Sequence, residues 1–277
     1  MPRHMTTNPS SSYVLGHTDS EHERLIHQAR YLAPYTERFL RDAGIGPGQR
    51  VLDLGSGVGD VAMLVAKIVG PSGEVVGVER DPQAIAVARA RVKEAGLQNV
   101  SFTQTDASQI HDSKLFDAAV GRYILMFLPD PVAVLRSLTK LVRPGGVVAF
   151  HEVSWAPGLA LTAHLPLWSA TYKLIHQTVR ASGANAEMGP DLYHAFQKAG
   201  LPAPHMKLEI PLSADPDFMR MAAGLFFTLL PKMQELTFSL AYLGNLETLQ
   251  QRLMAEAVGS GGVVPYMALV GAWSKQH

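Results

Sequence analysis

The chain has 277 residues, 47% of them hydrophobic, enough to bury a full core in one main domain with an extra element grafted on. Lys plus Arg and Asp plus Glu both total 24, so the formal net charge is zero, and no charge block points to nucleic acid or an acidic membrane. There is no cysteine, which excludes disulfides, thiolate metal sites and thiol nucleophiles.

Residues 1–17, opening MPRHMTTNPSSS, show no periodic pattern and no signal-peptide core, and read as a flexible start. From Thr18 a helix is expected, since Thr18 with Glu21 and Ser20 with Glu23 both fit the capping-box spacing. Leu25, Ala29 and Leu32 lie on one face, continued by Phe39 and Leu40 past a kink expected at Pro34. This N-terminal helical segment spans 18–48 and ends at Gly44 to Gly48.

A regular alternation follows. Strands are expected at Val51–Leu54, Glu74–Glu79, Val100–Gln104, Phe116–Gly121 and Val147–Val153, with RPGG (Arg143 to Gly146) turning into the last. Helical patterns lie between them at Val58–Val69, Gln83–Ala95 and Pro131–Leu141. Residues 49–153 therefore read as an α/β core, a doubly wound parallel sheet with helices on both faces. Ligands bind such sheets at the carboxyl ends of the strands. After Val153 the rhythm breaks. Leu165–Ser182, Asp191–Ala199, Asp217–Leu230 and Gln234–Ala257 read as helices, and His205–Leu212 and Val263–Trp273 as strands. No apolar run reaches transmembrane length, the densest lying around Ala222 to Leu230, and a cytoplasmic protein is expected.

The first strand runs into three alternate glycines, Gly55, Gly57 and Gly59. A dinucleotide loop wants a glycine where Asp60 stands, and Asp60 puts negative charge where a pyrophosphate would seek the helix N-terminus. Asp53 before the loop suits a cationic ligand better than a phosphate. Glu79, ending the second strand, has the position to accept from both ribose hydroxyls. Asp106, in TDAS after the third strand, offers a carboxylate to an adenine amino group. Three marks at three successive strand ends specify a nucleoside far better than a glycine loop alone.

The text VLDLGSGVGD, VVGVERD, QTDAS, FDAAVGRYILMFLPDP and LVRPGGVVAFHEV, in that order, resembles the class I S-adenosylmethionine-dependent methyltransferases. The likeness is to small-molecule members, in the broad group of the ubiquinone/menaquinone and natural-product enzymes. It implies a Rossmann-like sheet of seven strands, mostly parallel, with strand 7 antiparallel, an N-terminal helical lid and a helical insertion before the last strand. It implies S-adenosylmethionine as cofactor and S-adenosylhomocysteine as product. By the resemblance, Gly55 and Gly57 let the backbone approach the methionine part, and Asp53 holds the loop and the amino group. Glu79 binds the ribose, Arg80 flanks the adenine, and Asp106 with the Ala107 amide reads the adenine edge. Gly121 or Arg122 contacts the amino-acid end. Upstream, YVLGHTDSEHERLIHQ resembles a lid in which Tyr13 covers the methyl group and Gln28 reaches the cofactor, although by its residues alone Gln28 reads first as an ordinary helix-surface residue.

Methyl transfer is an in-line displacement that depends on alignment, and a base is needed only where the acceptor arrives protonated. Glu152 and, as the alternative, His151 are the candidate catalytic residues, on opposite faces of the fifth strand. The residues 155–200 and 215–260 form an inserted cap within the C-terminal part, 154–277. Its apolar residues read either as core or as the lining of an apolar substrate chamber, with Phe226 and Phe227 on one wall and Trp155 and Trp168 on the other. His164, His176 and His194 show no ligand spacing, so no metal is expected. The expected activity is transfer of a methyl group to O, N or C of a small, mostly apolar or aromatic metabolite. The alternative is a catalyst or binding module that keeps the methyl on its cofactor. Neither nucleic acid nor membrane is an expected partner, and a homodimer is left open.

Overall fold

The computed structural model of the chain describes residue 15 and residues 19–277. Helix α1 (Asp19–Asp42) runs through Pro34 and leads into β1 (Arg50–Leu54). The alternation then follows as β2 (Glu74–Glu79), β3 (Val100–Gln104), β4 (Phe116–Arg122) and β5 (Val142–Ser154), separated by α2 (Asp60–Val69), α3 (Pro82–Glu94) and α4 (Pro131–Leu138). Local chemistry starts two of these helices. Asp81 accepts from Gln83 N at 2.9 Å ahead of Pro82, and Asp130 accepts from Ala133 N at 2.8 Å ahead of Pro131.

Beyond β5 come α5 (Ala156–Leu161), α6 (Pro166–Ala181), α7 (Met188–Ala199), β6 (His205–Glu209) and β7 (Leu212–Ser213). They are followed by α8 (Pro216–Glu235), α9 (Leu249–Gly259), β8 (Val264–Pro265) and β9 (Ala268–Lys275). Seven strands form one sheet in the order β3-β2-β1-β4-β5-β9-β6, while β7 and β8 pair apart from it. Only β9 is antiparallel to its neighbours in the sheet, β5 and β6. The expected mostly parallel seven-stranded fold is the observed one.

Register aligns the functional edge. Leu54 pairs with Val78 and Gly121, Glu79 with Gln104, and Arg122 with His151. The carboxyl ends of β1 to β5 therefore share one rim, and strand order reverses between β1 and β4. One face of the sheet packs Val51, Val120 and Phe102 against α2 and α3. The other packs Leu52, Phe116 and Phe150 against α4 and α7 and continues into the cap.

Beyond β5, α5 is not among the expected elements and the strand expected over His205–Leu212 is split into β6 and β7; three further departures follow. First, α8 continues past Pro231 to Glu235; the proline removes one backbone donor, and burial of Leu229 and Met233 carries the helix on. Second, residues 234–257 are not one helix, because left-handed Thr237 (φ 56°) and Gly244 (φ 62°) turn the chain before α9. Third, the last strand begins at Ala268 and not at Val263, since Val264 and Pro265 pair with β7. Among the described residues, no helix is long and apolar enough to cross a membrane.

Side-chain bonds tie the cap together. Trp168 Nε1 donates to Leu253 O at 2.8 Å and Tyr172 Oη to Pro265 O at 2.7 Å. Helix α6 lacks a cap of its own, and Glu256 from α9 accepts from Leu167 N and Trp168 N, each at 2.9 Å. Glu256→Ala leaves those donors bare and is expected to cost about 0.5–2 kcal/mol, a drop of a few degrees in Tm. Thermal unfolding of the variant beside Glu256→Gln checks this, and an unchanged midpoint would show that the helix start is held otherwise.

Candidate functional site

The loop after β1 is shaped by close approaches. Gly59 (φ 87°) lies against α3 and β3, where an added Cβ would stand 3.1 Å from Ala88 Cβ and 3.2 Å from Phe102 Cζ. Gly55 lies against Ile124 in the same way. Gly57 (φ 50°) differs: a Cβ there would meet nothing within 4 Å, and the residue borders a cavity of about 680 Å³. That cavity lies at the rim, and α1 adds Glu21, His22, Arg24, Leu25 and Gln28 to its lining.

Glu79 anchors one side of it. Its Oε2 accepts from Gly57 N at 3.0 Å, and its Oε1 accepts from Arg80 N at 2.8 Å and Asp81 N at 3.0 Å. One carboxylate thus ties the end of β2 to the glycine loop. Asp106 Oδ1 accepts from Ser108 N at 2.9 Å and Ser108 Oγ at 2.6 Å, bonds that lower its pKa. Asp106, Ala107 and Arg80 border the cavity, as does Arg122, whose Nη1 donates to Thr36 Oγ1 at 2.9 Å. Asp60 borders it too, with its charge matched by Arg91 at 2.7 Å.

From above, α1 contributes Glu21, Arg24 and Gln28, spaced to share one helical face. Arg24 donates to both carboxylate oxygens of Glu21, at 2.6 and 2.7 Å, and to Gln28 Oε1 at 2.6 Å. Tyr266 Oη donates to the same Gln28 oxygen at 3.1 Å, fastening α1 to the segment before β9. The opposite side of the cavity is apolar, made by Met126, Val134, Trp155, Val179, Leu225 and Met267.

Glu152 and His151 lie beneath the rim and do not border the cavity. Glu152 is 0% exposed, and its Oε1 accepts from Ile124 N at 3.0 Å and Leu125 N at 2.8 Å. Burial pushes its carboxyl up to about 8, against the lowering effect of those backbone donors. His151, on the other face, stacks on Phe39 at 4.7 Å; burial, then the neighbouring Arg122 and Lys207, push it down to about 3. Asp53 is buried behind the glycine loop, and burial raises it to about 8 despite Arg122 and a backbone bond from Ala62.

A sequence model described as a methyltransferase domain matches residues 45–200, more than half of the chain. The chain belongs to the methyltransferase-domain family. A demethylmenaquinone methyltransferase of Staphylococcus aureus is 30% identical over 121 residues, which are 43% of this chain and 49% of that protein. The chain thus spans about half the length of the curated relatives it matches. A crystal structure of a methyltransferase candidate from Bacillus halodurans superposes with a TM-score of 0.57 at 19% identity, covering 87% of this chain and 98% of its own. The [4+2]-cyclase SpnF superposes at 0.52, also with 19% identity, over 88% and 82%. At such identities the two structures speak for the fold, that of the class I S-adenosylmethionine-dependent methyltransferases.

Within this methyltransferase fold, Gly55, Gly57, Glu79, Arg80, Asp106, Ala107, Arg122, Gln28 and Trp155 all come to one cavity. Gln28 is buried there, at 5% exposure, and so is not a helix-surface residue. Gly121 lies just behind, where a Cβ would stand 2.7 Å from Phe150. Tyr13 lies outside the described residues. Trp168 and Phe226 are fully buried in the cap, Phe227 packs edge-to-face on Phe226, and none of the three borders the cavity. Leu225, one residue away, does so instead. The sequence reading missed Glu21, Arg24, Tyr123 and Met267; for the first two, the spacing with Gln28 was the available signal.

Proposed function

We propose that the chain transfers the methyl group of S-adenosylmethionine to O, N or C of a small, mostly apolar acceptor. The observation that carries this reading is one cavity with two characters. Glu79, Asp106 and the open face of Gly57 line its polar side, and Met126, Trp155, Leu225 and Met267 its apolar side. The fit to the cofactor rests on Gly57, where a side chain would fill the space, and on two carboxylates at neighbouring strand ends.

When bound, S-adenosylmethionine supplies an electrophilic methyl group on a sulfonium. Glu79 would accept from the ribose hydroxyls while keeping its backbone partners. Asp106 and the Ala107 amide would read the adenine edge, with Arg80 beside it. Arg122 offers a cation to the carboxylate end. Helix α1, held by the Glu21–Arg24–Gln28–Tyr266 network, serves as the lid that excludes water, and α5 to α9 as the cap that shapes the acceptor side. Alignment within the cavity is the main contribution asked of the protein. We assign no general base, because Glu152 and His151 are packed below the rim and do not border the cavity. An acceptor that is acidic by itself, such as a phenol or enol, suits this arrangement.

The Staphylococcus aureus relative is a demethylmenaquinone methyltransferase, so an oxygenated apolar ring is the first acceptor to try. The deciding experiment incubates the protein with methyl-labelled S-adenosylmethionine and a metabolite extract of its source. A product carrying the label is expected by mass spectrometry. Binding without any transfer, across extracts that support other methyltransferases, would instead favour a catalyst that keeps the methyl.

A further inference from the structure

The sheet has two open edges, and they differ in chemistry. At one end β3 exposes Ser101, Thr103 and Gln104, side chains that water solvates well. At the other, β6 exposes Met206 (39%) and Leu208 (52%), and Leu212 (53%) follows just beyond its end. Three of the nine exposed large apolar side chains among the described residues thus fall within seven positions. Among the described residues β6 pairs with β9 alone, so its outer row of backbone donors and acceptors is open. An apolar edge of this kind is a template for another strand.

The two faces of β6 have different characters. Side chains alternate along a strand, so Met206 and Leu208 share one face, continued by Ile210, and Lys207 and Glu209 share the other. On the charged face Lys207 Nζ donates to Asp42 at 3.2 Å and lies 3.8 Å from Glu209, which accepts from Arg38 at 2.9 Å. An ammonium has three donors and a carboxylate two oxygens, so both groups keep capacity for a further partner. Arg38 and Asp42 belong to the last turns of α1, away from Glu21, Arg24 and Gln28 at the cavity.

We propose that β6 pairs with β6 of a second copy of this chain, antiparallel, about a two-fold axis through Leu208. Such an axis, normal to the sheet, keeps each face on its own side, so one residue must lie on it. With Leu208 there, Lys207 stands opposite Glu209 of the second copy, and Met206 opposite Ile210, each pair occurring twice. Opposite charges meet on one face and apolar side chains on the other. With Lys207 or Glu209 on the axis, like charges would face each other directly, which destabilises the pair. Axes at Met206 or Ile210 bring Pro204 or Pro211, which have no N–H, into the pairing, whereas the axis at Leu208 leaves Pro211 at its very end. The two sheets then run on as one. An interface centred on five residues is small, so the dimer is weak and reversible. Pairing of this kind is independent of the methyl-transfer reading.

Sedimentation equilibrium of the full chain, over a wide range of concentration, is expected to show monomer and dimer in exchange. Lys207→Glu and Glu209→Lys each set like charges against each other across the axis, and each alone should weaken the dimer roughly tenfold. Mixed together, the two variants are complementary again, and a heterodimer near wild-type affinity is expected. Thermal unfolding checks that each variant is folded. Independently, Leu208→Cys gives the chain its only cysteine. Facing residues of an antiparallel pair have Cα atoms about 4.5–5.5 Å apart, within disulfide reach. Mild oxidation should link two copies through it, while Ser101→Cys on β3 stays unlinked. Monomer at every concentration would overturn the proposal and leave the edge to a foreign strand. A dimer that neither charge variant weakens, a mixture no tighter than its components, or equal linking through both cysteines would overturn it as well.

Discussion

Glu79→Ala is expected to lower the affinity for S-adenosylhomocysteine by roughly ten- to a hundredfold. The carboxylate would lose charge-assisted bonds to the ribose, worth about 1.5–3 kcal/mol. It would also release Gly57 N, Arg80 N and Asp81 N, the contacts that join the glycine loop to the end of β2. Loss of order in that loop adds to the direct effect. Glu79→Gln retains one acceptor oxygen and should fall between the two. Calorimetric titration of all three proteins, with thermal unfolding as the control for folding, makes the comparison. Affinity unchanged in Glu79→Ala would place the ribose elsewhere.

The second large effect separates two substitutions at Glu152. Glu152→Ala strips an acceptor from Ile124 N and Leu125 N inside the core, and each bare donor costs about 1–3 kcal/mol. The loop that carries Tyr123, Met126 and Leu128 to the cavity should loosen, with losses in both stability and turnover. Glu152→Gln keeps a carbonyl oxygen for the two donors, so turnover should survive. A collapse of turnover in Glu152→Gln, with folding intact, would restore the carboxylate to the chemistry.

The same residue sets a pH dependence. An acid whose folded-state pKa exceeds its unfolded value keeps its proton in the folded state, so its contribution to stability falls as pH rises between the two. For Glu152 that window runs from 4.5 to about 8, and for Asp53 from 3.8 to about 8. His151 acts oppositely, losing stability as pH falls from 6.5 towards about 3. Above pH 6.5 the carboxyls act alone. Tm should therefore decline from there to about pH 8, and less steeply in Glu152→Gln. Parallel slopes for the two proteins would show that Glu152 is already ionised in the fold.

The core alternation and its nucleoside marks were legible because each mark lies at a strand end, within a few residues of a recognisable turn. Gly57, Glu79 and Asp106 meet since a parallel sheet sends all its carboxyl ends to one rim. Glu152 carried the same outward sign, an acid at a strand end. Its oxygen, however, is spent on a loop whose path the sequence does not give. Glu21 reads as part of a helix start, Arg24 carries no mark of its own, and Gln28 is pointed to the cofactor only by the lid resemblance, because polar residues on a helix usually face water. Nothing local says that this face would close on the cavity. Phe226 and Leu225 are equally apolar, and one helical step decides which packs in the core and which borders the cavity.

A crystal structure of the protein with S-adenosylhomocysteine tests the central claim most directly. The account predicts the ligand in the cavity beneath α1, its ribose hydroxyls within hydrogen-bond distance of Glu79 and its adenine beside Asp106 and Ala107. Ligand bound elsewhere, or a ribose that does not touch Glu79, would contradict it.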